Sequence, residues 1–229
     1  MRMRLLLLII TAITIVSCNG ARKSETFRLL EDVDSYIEAR PDSALAVLEG
    51  INVEDLGSRE EKAKYALLMS MALDKNYIDR TDFEVLQPAI NYYESHGTAT
   101  DKLRTFYYQG RIYYNRGEAE EAMECLIKSI DLGSESNDLK TKARNYTVQG
   151  TLYYSYYNWD KIIETSLSAA ECYDALKDYD NYVKNLWYRF AVDVRTLDNK
   201  ADIWVNGRKV AEVDLLEKTT SIDNISAFV

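Results

Sequence analysis

The chain has 229 residues, and 47% of them are hydrophobic. This is enough for a sizeable core and excludes a chain that is a disordered tail. It contains only nine glycines and two prolines. This composition favours an all-α fold over sandwiches and barrels, which need many Gly and Pro turns. The formal net charge of -9 repels phosphate backbones and anionic headgroups, so we expect no direct nucleic-acid binding.

The first seventeen residues predict a signal peptide. Arg2 and Arg4 form a short basic start, and a largely apolar stretch of twelve residues follows from Leu5 to Val16. This stretch is shorter than the roughly 20 residues that span a bilayer, but it matches the hydrophobic region of a signal peptide. The sequence therefore predicts export, with residues 1–17 removed.

The residues that end this stretch, Ile15-Val16-Ser17-Cys18, resemble the lipobox of bacterial lipoproteins. The resemblance implies that Cys18 carries lipid, that cleavage falls before it, and that several acyl chains anchor the mature chain to a membrane. Residues 18–24 then form the lipidated cysteine and a polar tether. No acidic run follows Cys18, which favours a periplasm-facing protein of the bacterial cell envelope. The alternative is an ordinary secretory signal with a chance cysteine.

Residues 27–51 predict a first pair of helices. Pro41 falls near the start of the second helix, where its missing N–H is tolerated, and Asp42 and Ser43 suit the first turn. Further along the chain, Pro88 should kink its helix or delay the start of that helix.

A repeat occupies the middle of the chain. The motif Gln-Gly-x-x-Tyr-Tyr begins at Gln109 and again at Gln149, forty residues later. The same step backward from Gly110 reaches Ser70. Because periods of about 20 to 50 residues are typical of solenoids, three consecutive segments are expected to share one structural register.

Each repeat predicts a helical hairpin. In the clearest unit, two stripes at helical spacing follow one another: Leu103, Phe106, Gly110 and Tyr113, then Ala122, Leu126, Ser129 and Ile130. Gly110 has no side chain and Ala122 has a small one. We therefore expect these two residues to let the paired helices approach closely.

The order of aromatic residue, Gly, Tyr and Ala in this unit resembles the tetratricopeptide repeat (TPR). The resemblance implies an all-α fold, a right-handed α-solenoid of about five TPR-like pairs over residues 25–217, degenerate at both ends, with a tail at 218–229. The forty-residue period exceeds the usual period of about 34 residues and implies longer loops. A helical bundle with coincidental spacing is the alternative.

Cys125 and Cys172 would lie in a compartment that permits disulfides. In the forty-residue register, Cys172 lies seven residues beyond the counterpart of Cys125, which is about 10 Å along a helix axis. A disulfide needs Cα atoms within about 7 Å of each other. We therefore expect two buried, unpaired thiols.

The last segments fit the repeat less well. Phe190 falls where the fifth unit should have its glycine. Residues 201–215 carry two conflicting signals. Asn206-Gly207 between β-branched residues is typical of a type I′ hairpin, whereas the spacing of small and apolar residues suits a second TPR helix. We favour the helix because the preceding context is helical.

The sequence contains no common catalytic or metal-binding motif: HExxH, GxSxG, the Walker loop and CxxC are all missing. The single histidine, His96, precedes Gly97 at the end of a predicted helix, where a cation interacts with the last carbonyls. We expect a protein that is not an enzyme and has no metal or cofactor. Carboxylates brought together by folding are the alternative that the sequence leaves open.

By the TPR resemblance, the first helices of successive units line a concave groove that binds a ligand. Its outward positions in two units hold ten residues: Arg104, Tyr107, Arg111, Tyr114, Asn115, Arg144, Thr147, Thr151, Tyr154 and Ser155. We expect the three arginines to hold acidic groups, and Tyr107 and Tyr114 to stack on the ligand. The alternative is that the tyrosines fill space between repeats.

The segments IVSC, PDSALAVLEG, NYYESHG and QGRIYYNRGE together resemble a family of bacterial envelope TPR lipoproteins. The resemblance implies a lipid-anchored scaffold or adaptor that binds a protein or peptide partner. Longer relatives in that family continue into a transmembrane helix and a cytoplasmic DNA-binding module, so a sensor ectodomain is one alternative. Another is a glycan- or peptidoglycan-binding lipoprotein. Several exposed rings on one face would favour a glycan, and Arg with Asn on that face would favour a peptide.

Overall fold

The structure is a computed structural model that describes residues 24–187 and three strands at residues 192–197, 200–205 and 208–214. The predicted signal peptide, Cys18 with most of its tether, Phe190 and the tail at 218–229 lie outside the described residues.

Nine α-helices account for most of the described residues. They are α1 Glu25–Tyr36, α2 Pro41–Glu49, α3 Arg59–Lys75, α4 Gln87–His96, α5 Ala99–Arg116, α6 Ala119–Leu132, α7 Leu139–Ser155, α8 Trp159–Ala175 and α9 Tyr179–Trp187, with a short 3₁₀ helix at Val53–Asp55. The chain divides into two compact units, one ending at Ile78 and the other beginning at Asp79. The all-α prediction is confirmed for the described residues up to Trp187.

The first unit is organised around the buried carboxylate of Glu61, near the start of α3. Glu61 accepts hydrogen bonds from the Ser24 hydroxyl, from the Gly57 N–H (2.7 Å) and from the Ser58 N–H (3.1 Å). The bond from Ser24 and then the backbone donors hold the pKa of Glu61 below its usual range, against the opposing effect of burial. One carboxylate therefore caps α3 and ties the start of α1 to it.

The second unit contains the hairpin of α5 and α6. Thr98 and Asp101 form a reciprocal capping box at the start of α5. At Gly110, an added Cβ would lie 3.0 Å from Leu126 Cγ and 3.2 Å from the Ala122 carbonyl oxygen. This confirms the prediction that Gly110 permits close approach of the second helix.

The hairpin of α7 and α8 repeats this packing. Gly150 occupies the position of Gly110, and an added Cβ there would lie 3.1 Å from Thr165 Oγ1 on α8. Ala143 on α7 and Ala169 on α8 are fully buried within one apolar cluster. Small residues thus bring the two helices together in both hairpins.

The turns after α3, α5 and α7 repeat a backbone feature. A left-handed φ occurs at Tyr77 (60°), Gly117 (78°) and Tyr157 (54°). These three residues are forty positions apart, the period that the sequence predicted from Gly110 and Gly150, while a fourth left-handed residue, Lys177 (57°), follows α8 outside this series. Left-handed residues at such positions end helices.

Several local predictions are confirmed. Pro41 is the first residue of α2, and Pro88 lies in the first turn of α4, so both prolines mark delayed helix starts. His96 lies in the last turn of α4, with Nδ1 3.2 Å from the Tyr92 carbonyl oxygen. Cys125 and Cys172 are unpaired thiols, as predicted, but both are only half-buried rather than buried.

The helix prediction for residues 201–215 is wrong. Strands β1 Val192–Leu197, β2 Lys200–Val205 and β3 Arg208–Asp214 form an antiparallel sheet in the order β1-β2-β3, in which Val205 pairs with Arg208. The Asn-Gly signal and the β-branched residues of this segment therefore outweighed the helical context on which the prediction relied. Within the described residues, the helices of the predicted 25–217 solenoid stop at Trp187.

The packing predicts opposite effects for two helix-end glycines. An added Cβ at Gly133 would lie 2.5 Å from Leu103 Cβ and 2.8 Å from the Ser129 carbonyl oxygen, whereas at Gly50 the nearest atom is 3.4 Å away. We expect Gly133→Ala to lower the free energy of unfolding by about 1–3 kcal/mol through overpacking. Gly50→Ala should be neutral or stabilising by up to about 1 kcal/mol, because it restricts the unfolded chain. Urea unfolding followed by circular dichroism measures both, and equal effects would contradict the packing argument.

Candidate binding surface

The ten predicted groove residues lie on two neighbouring helices, five on α5 and five on α7. The structure gives them different environments. Some of them form hydrogen bonds or ion pairs within the second unit, and Tyr107 is buried. Tyr154 belongs to an exposed group of aromatic rings.

Arg104 links α5 to the start of α7. Its Nε lies 2.5 Å from Asp138 Oδ2, and the two side chains are only 17% and 12% exposed. Asp138 also caps α7 by accepting from the Thr141 N–H at 3.1 Å. Burial alone would raise the pKa of Asp138, but the Arg104 guanidinium and the bonds from Thr141 outweigh it and hold that pKa below its usual range.

The C-terminal half of α5 contacts the segment that opens the second unit. Arg111 lies 3.8 Å from an Asp79 carboxylate oxygen, and its guanidinium lies over the Tyr114 ring, 5.4 Å from the centroid. Asn115 Nδ2 donates to the Arg80 carbonyl at 3.1 Å. Arg104 and Arg111 therefore each pair with a carboxylate of the protein itself.

Tyr107 does not lie at the surface. It is 3% exposed, and its ring lies 4.9 Å from that of Tyr108 in an edge-to-face arrangement. The prediction that Tyr107 stacks on a ligand is wrong, because its position in the repeat turns it into the core. Its ring is part of the core of the second unit.

The three predicted Thr and Ser hydroxyls of α7 bond to their own helix, and Thr147 Oγ1 also lies 3.2 Å from Asn185 Oδ1 on α9. Thr147 Oγ1 donates to the Ala143 carbonyl (2.9 Å), Thr151 Oγ1 to the Thr147 carbonyl (3.1 Å) and Ser155 Oγ to the Thr151 carbonyl (3.5 Å). Each bond spans four residues, which is the usual back-bonding of Ser and Thr in helices. These hydroxyls therefore present acceptor oxygens to their surroundings.

Arg144 lies half-buried on α7, close to Tyr173 of α8. Burial raises the pKa of the Tyr173 hydroxyl, while a hydrogen bond with Thr147 and the charge of Arg144 oppose that rise. Arg144 thus contributes to the electrostatics of the α7 and α8 hairpin.

The turn between α7 and α8 carries exposed rings that we call the aromatic cluster. Its members and their exposed fractions are Tyr154 (56%), Tyr156 (56%), Tyr157 (73%) and Trp159 (36%). The ring of Trp159 lies 5.9 Å from that of Tyr154 and 6.3 Å from that of Tyr157. Only Tyr154 was among the predicted residues. The aromatic run across a predicted turn, YYSYYNW, was the signal that could have found the others.

The described residues contain neither a candidate metal site nor a candidate membrane span. No three His, Cys, Asp or Glu side chains in residues 24–187 and the strands group in a way that could hold a metal ion. In the same part of the chain, every helix is too short or too polar to cross a bilayer.

The comparisons with known proteins add no family. The chain matches no protein-family model, no curated protein and no solved structure.

The link between Arg104 and Asp138 predicts a pH-dependent stability. A lowered folded-state pKa gives a contribution that is present above the unfolded pKa of about 3.9 and is lost as the pH falls through the folded-state value. Asp138→Asn keeps an acceptor for the helix cap but removes the charge, so we expect it to lower the free energy of unfolding at pH 7 by about 1–3 kcal/mol. The difference in unfolding free energy between Asp138→Asn and wild type should shrink as the pH falls through the folded-state pKa of Asp138.

Urea titrations at pH 7 and at acidic pH measure this difference. Asp131→Asn, an exposed carboxylate on α6, is the matched control and should change little at either pH. If the loss of unfolding free energy in Asp138→Asn stayed constant with pH, the charge of Asp138 would not be its cause.

Proposed function

We propose that this chain is a lipid-anchored, non-catalytic binding protein of the bacterial envelope, built from TPR-like hairpins in a right-handed α-solenoid. Its partner is a protein segment, which it contacts through the aromatic cluster. The forty-residue recurrence of left-handed residues supports the repeat, and the lipobox-like Ile15-Val16-Ser17-Cys18 supports the anchor.

The observation that carries this function is the aromatic cluster. Tyr and Trp dominate protein-binding hot spots because they offer large, rigid contact areas with a polar edge. Tyr156 and Tyr157 are more than half exposed, and neighbouring exposed rings of this size mark interaction sites on soluble domains. The cluster adjoins Thr151 and Ser155, whose acceptor oxygens suit the N–H groups of an extended peptide.

The sequence predicted that the arginines bind acidic groups of a ligand, and we propose a different role for two of them. Arg104 is held by Asp138, and Arg111 lies near Asp79 and Tyr114. We assign both arginines to shaping the helix pair that carries the cluster. The partner's contact with the cluster then depends more on apolar and aromatic side chains than on acidic ones.

A non-catalytic role is supported by two carboxylates whose lowered pKa values accompany structural hydrogen bonds or an ion pair. The pKa values of Glu61 and Asp138 are lowered by the groups that they cap or pair with. Shifted pKa values at catalytic sites instead accompany groups that are poised to exchange protons with a substrate. Hydrogen bonds from Ser24 and the helix cap account for Glu61, and pairing with Arg104 together with capping accounts for Asp138.

A glycan is the second candidate ligand. Four exposed rings at one turn favour it, because the apolar faces of sugar rings pack on aromatic rings. A polysaccharide of the envelope would then occupy the surface assigned above to a protein segment.

Tyr157 and Tyr77 form a matched pair for testing the surface. Both are exposed tyrosines with left-handed φ after a helix, but Tyr77 lies outside the cluster. We expect a photo-crosslinking residue at Tyr157 to capture a defined envelope protein that the same residue at Tyr77 does not. With that protein purified, Tyr157→Ala should weaken binding at least about 30-fold, the effect of a hot spot of about 2 kcal/mol, and Tyr77→Ala should leave it unchanged.

The glycan candidate has its own outcome in this experiment. If position 157 captures no protein, while purified peptidoglycan binds wild type and not Tyr157→Ala, the protein-segment assignment is contradicted and the glycan is favoured.

The anchor is tested separately. Cys18→Ser removes the thiol that would carry the lipid, so we expect it to abolish labelling of the chain by a radioactive fatty acid and to release the chain from the membrane fraction. Labelling that persists in Cys18→Ser would contradict the lipoprotein assignment, whereas Cys125→Ser serves as the control that should keep the label.

A further inference from the structure

Three strands follow the helices of the second unit and form a sheet with two edges. The strand order is β1-β2-β3, so β2 is central and β3 is an edge strand. Within the described residues, no strand pairs with β3 on the side away from β2. Such an edge presents backbone N–H and C=O groups that can pair with a strand of another chain.

The register of the sheet places two acidic residues side by side. Asp202 of β2 is directly opposite Glu212 of β3, and on its other side Asp202 is opposite Arg195 of β1. Opposite charges on facing residues stabilise a pair of strands, whereas like charges destabilise it. Arg195 therefore balances Asp202, but in the described sheet Glu212 has no basic residue directly opposite it.

The pairing of β3 with β2 is interrupted by one extra residue. Lys209 is opposite Trp204, and Ala211 is opposite Ile203, which leaves Val210 without a partner of its own. This is the arrangement of a β-bulge. The bulge changes which residues of β3 share a face of the sheet.

Lys209 and Glu212 belong to the same face. Successive residues of a strand alternate between faces, so Trp204 and Ile203 belong to opposite faces of β2. Their partners Lys209 and Ala211 therefore also belong to opposite faces, and Glu212, which follows Ala211, returns to the face of Lys209. The basic and the acidic residue share one face, with the bulge between them.

This pattern is complementary to a second copy of β3 that runs antiparallel to the first. A two-fold axis perpendicular to the sheet, placed between Val210 and Ala211, keeps the faces of the two copies aligned. It brings Lys209 of each copy directly opposite Glu212 of the other, so the same contact forms twice. The basic residue that Glu212 lacks within its own sheet is thereby supplied by the second copy.

We propose that two copies of this chain associate through β3, so that their sheets join edge to edge into one antiparallel sheet. Backbone hydrogen bonds between the two edges provide the attachment. The opposite charges of Lys209 and Glu212 select the register, because a shift by one residue would separate them. The interface uses neither the aromatic cluster nor Cys18, so it is independent of the function proposed above.

Co-purification of two differently tagged copies tests the interface. Full-length chains are co-expressed, extracted from cells with a mild detergent and captured through one tag, and the copy with the other tag is quantified. We expect this second copy to be recovered for the wild type. With Lys209→Glu in both copies, or Glu212→Lys in both, like charges meet at both contacts, and recovery should fall at least about tenfold.

Combining the two changes distinguishes a lost contact from a lost fold. Lys209→Glu in one copy and Glu212→Lys in the other put opposite charges together at both contacts, so recovery should return to the wild-type level. The same result is expected when every copy carries both changes. A variant that did not fold would fail to associate in either combination.

Two further variants control for net charge. Lys62→Glu on α3 and Glu120→Lys on α6 change exposed residues outside the sheet and alter the charge by the same amounts as the β3 variants. Each should leave recovery within about twofold of wild type. If they lowered recovery as much as the β3 changes, general electrostatic repulsion would explain the result and the interface would be wrong.

The proposal is also wrong if wild-type copies do not co-purify, or if the combined variants associate no better than each variant with itself. It is equally wrong if Lys209→Glu leaves recovery unchanged or raises it. That last result would show instead that Lys209 guards the edge against association, which is a common role of lysine on edge strands.

Discussion

Within the hairpins of the second unit the paired helices approach so closely that a side chain at the contact would press against the neighbouring helix. A Cβ at Gly110 would lie 3.0 Å from Leu126 Cγ, and one at Gly133 would lie 2.5 Å from Leu103 Cβ. This closeness fixes the register between α5 and α6, because sliding either helix would put a larger residue into the contact. The same closeness brings the Ser129 hydroxyl to 2.6 Å from the Leu103 carbonyl oxygen, to which it donates. The buried hydroxyl is therefore not left without a hydrogen-bond partner.

Polar contacts link one hairpin to the next. Arg104 reaches from α5 to Asp138 at the start of α7, and Asn145 donates from α7 to the Leu126 carbonyl of α6 at 3.1 Å. Apolar contacts tolerate small shifts, whereas buried hydrogen bonds are satisfied in only one arrangement. The polar links thus specify how α5, α6 and α7 are arranged. The aromatic cluster at the end of α7 is held by that arrangement.

The sequence predicted much of the helical region and little of the surface. Periodicity and small residues are local signals, so the helices, the packing at Gly110 and the helix starts at the two prolines could be found from them. Tyr107 could not be placed, because whether a tyrosine faces solvent depends on the neighbouring hairpin. The strands at 192–214 were missed because a helical context was given more weight than a specific turn signal. Gln109 Oε1 has no hydrogen-bond partner among the described residues, whereas Gln149 bonds to Asn145. This difference follows from Thr105 standing where the next repeat has Asn145, and it becomes visible only when the partners are known.

The left-handed residues that follow α3, α5 and α7 have a further consequence. Glycine adopts this conformation without strain, as Gly117 does, whereas a residue with a Cβ loses roughly 1–2 kcal/mol there. Tyr77 and Tyr157 bear this strain although they are 93% and 73% exposed, so burial of their rings does not offset it. Two of three equivalent turns therefore hold a tyrosine at a net loss of folding free energy. A sequence shaped by stability alone would have glycine at all three.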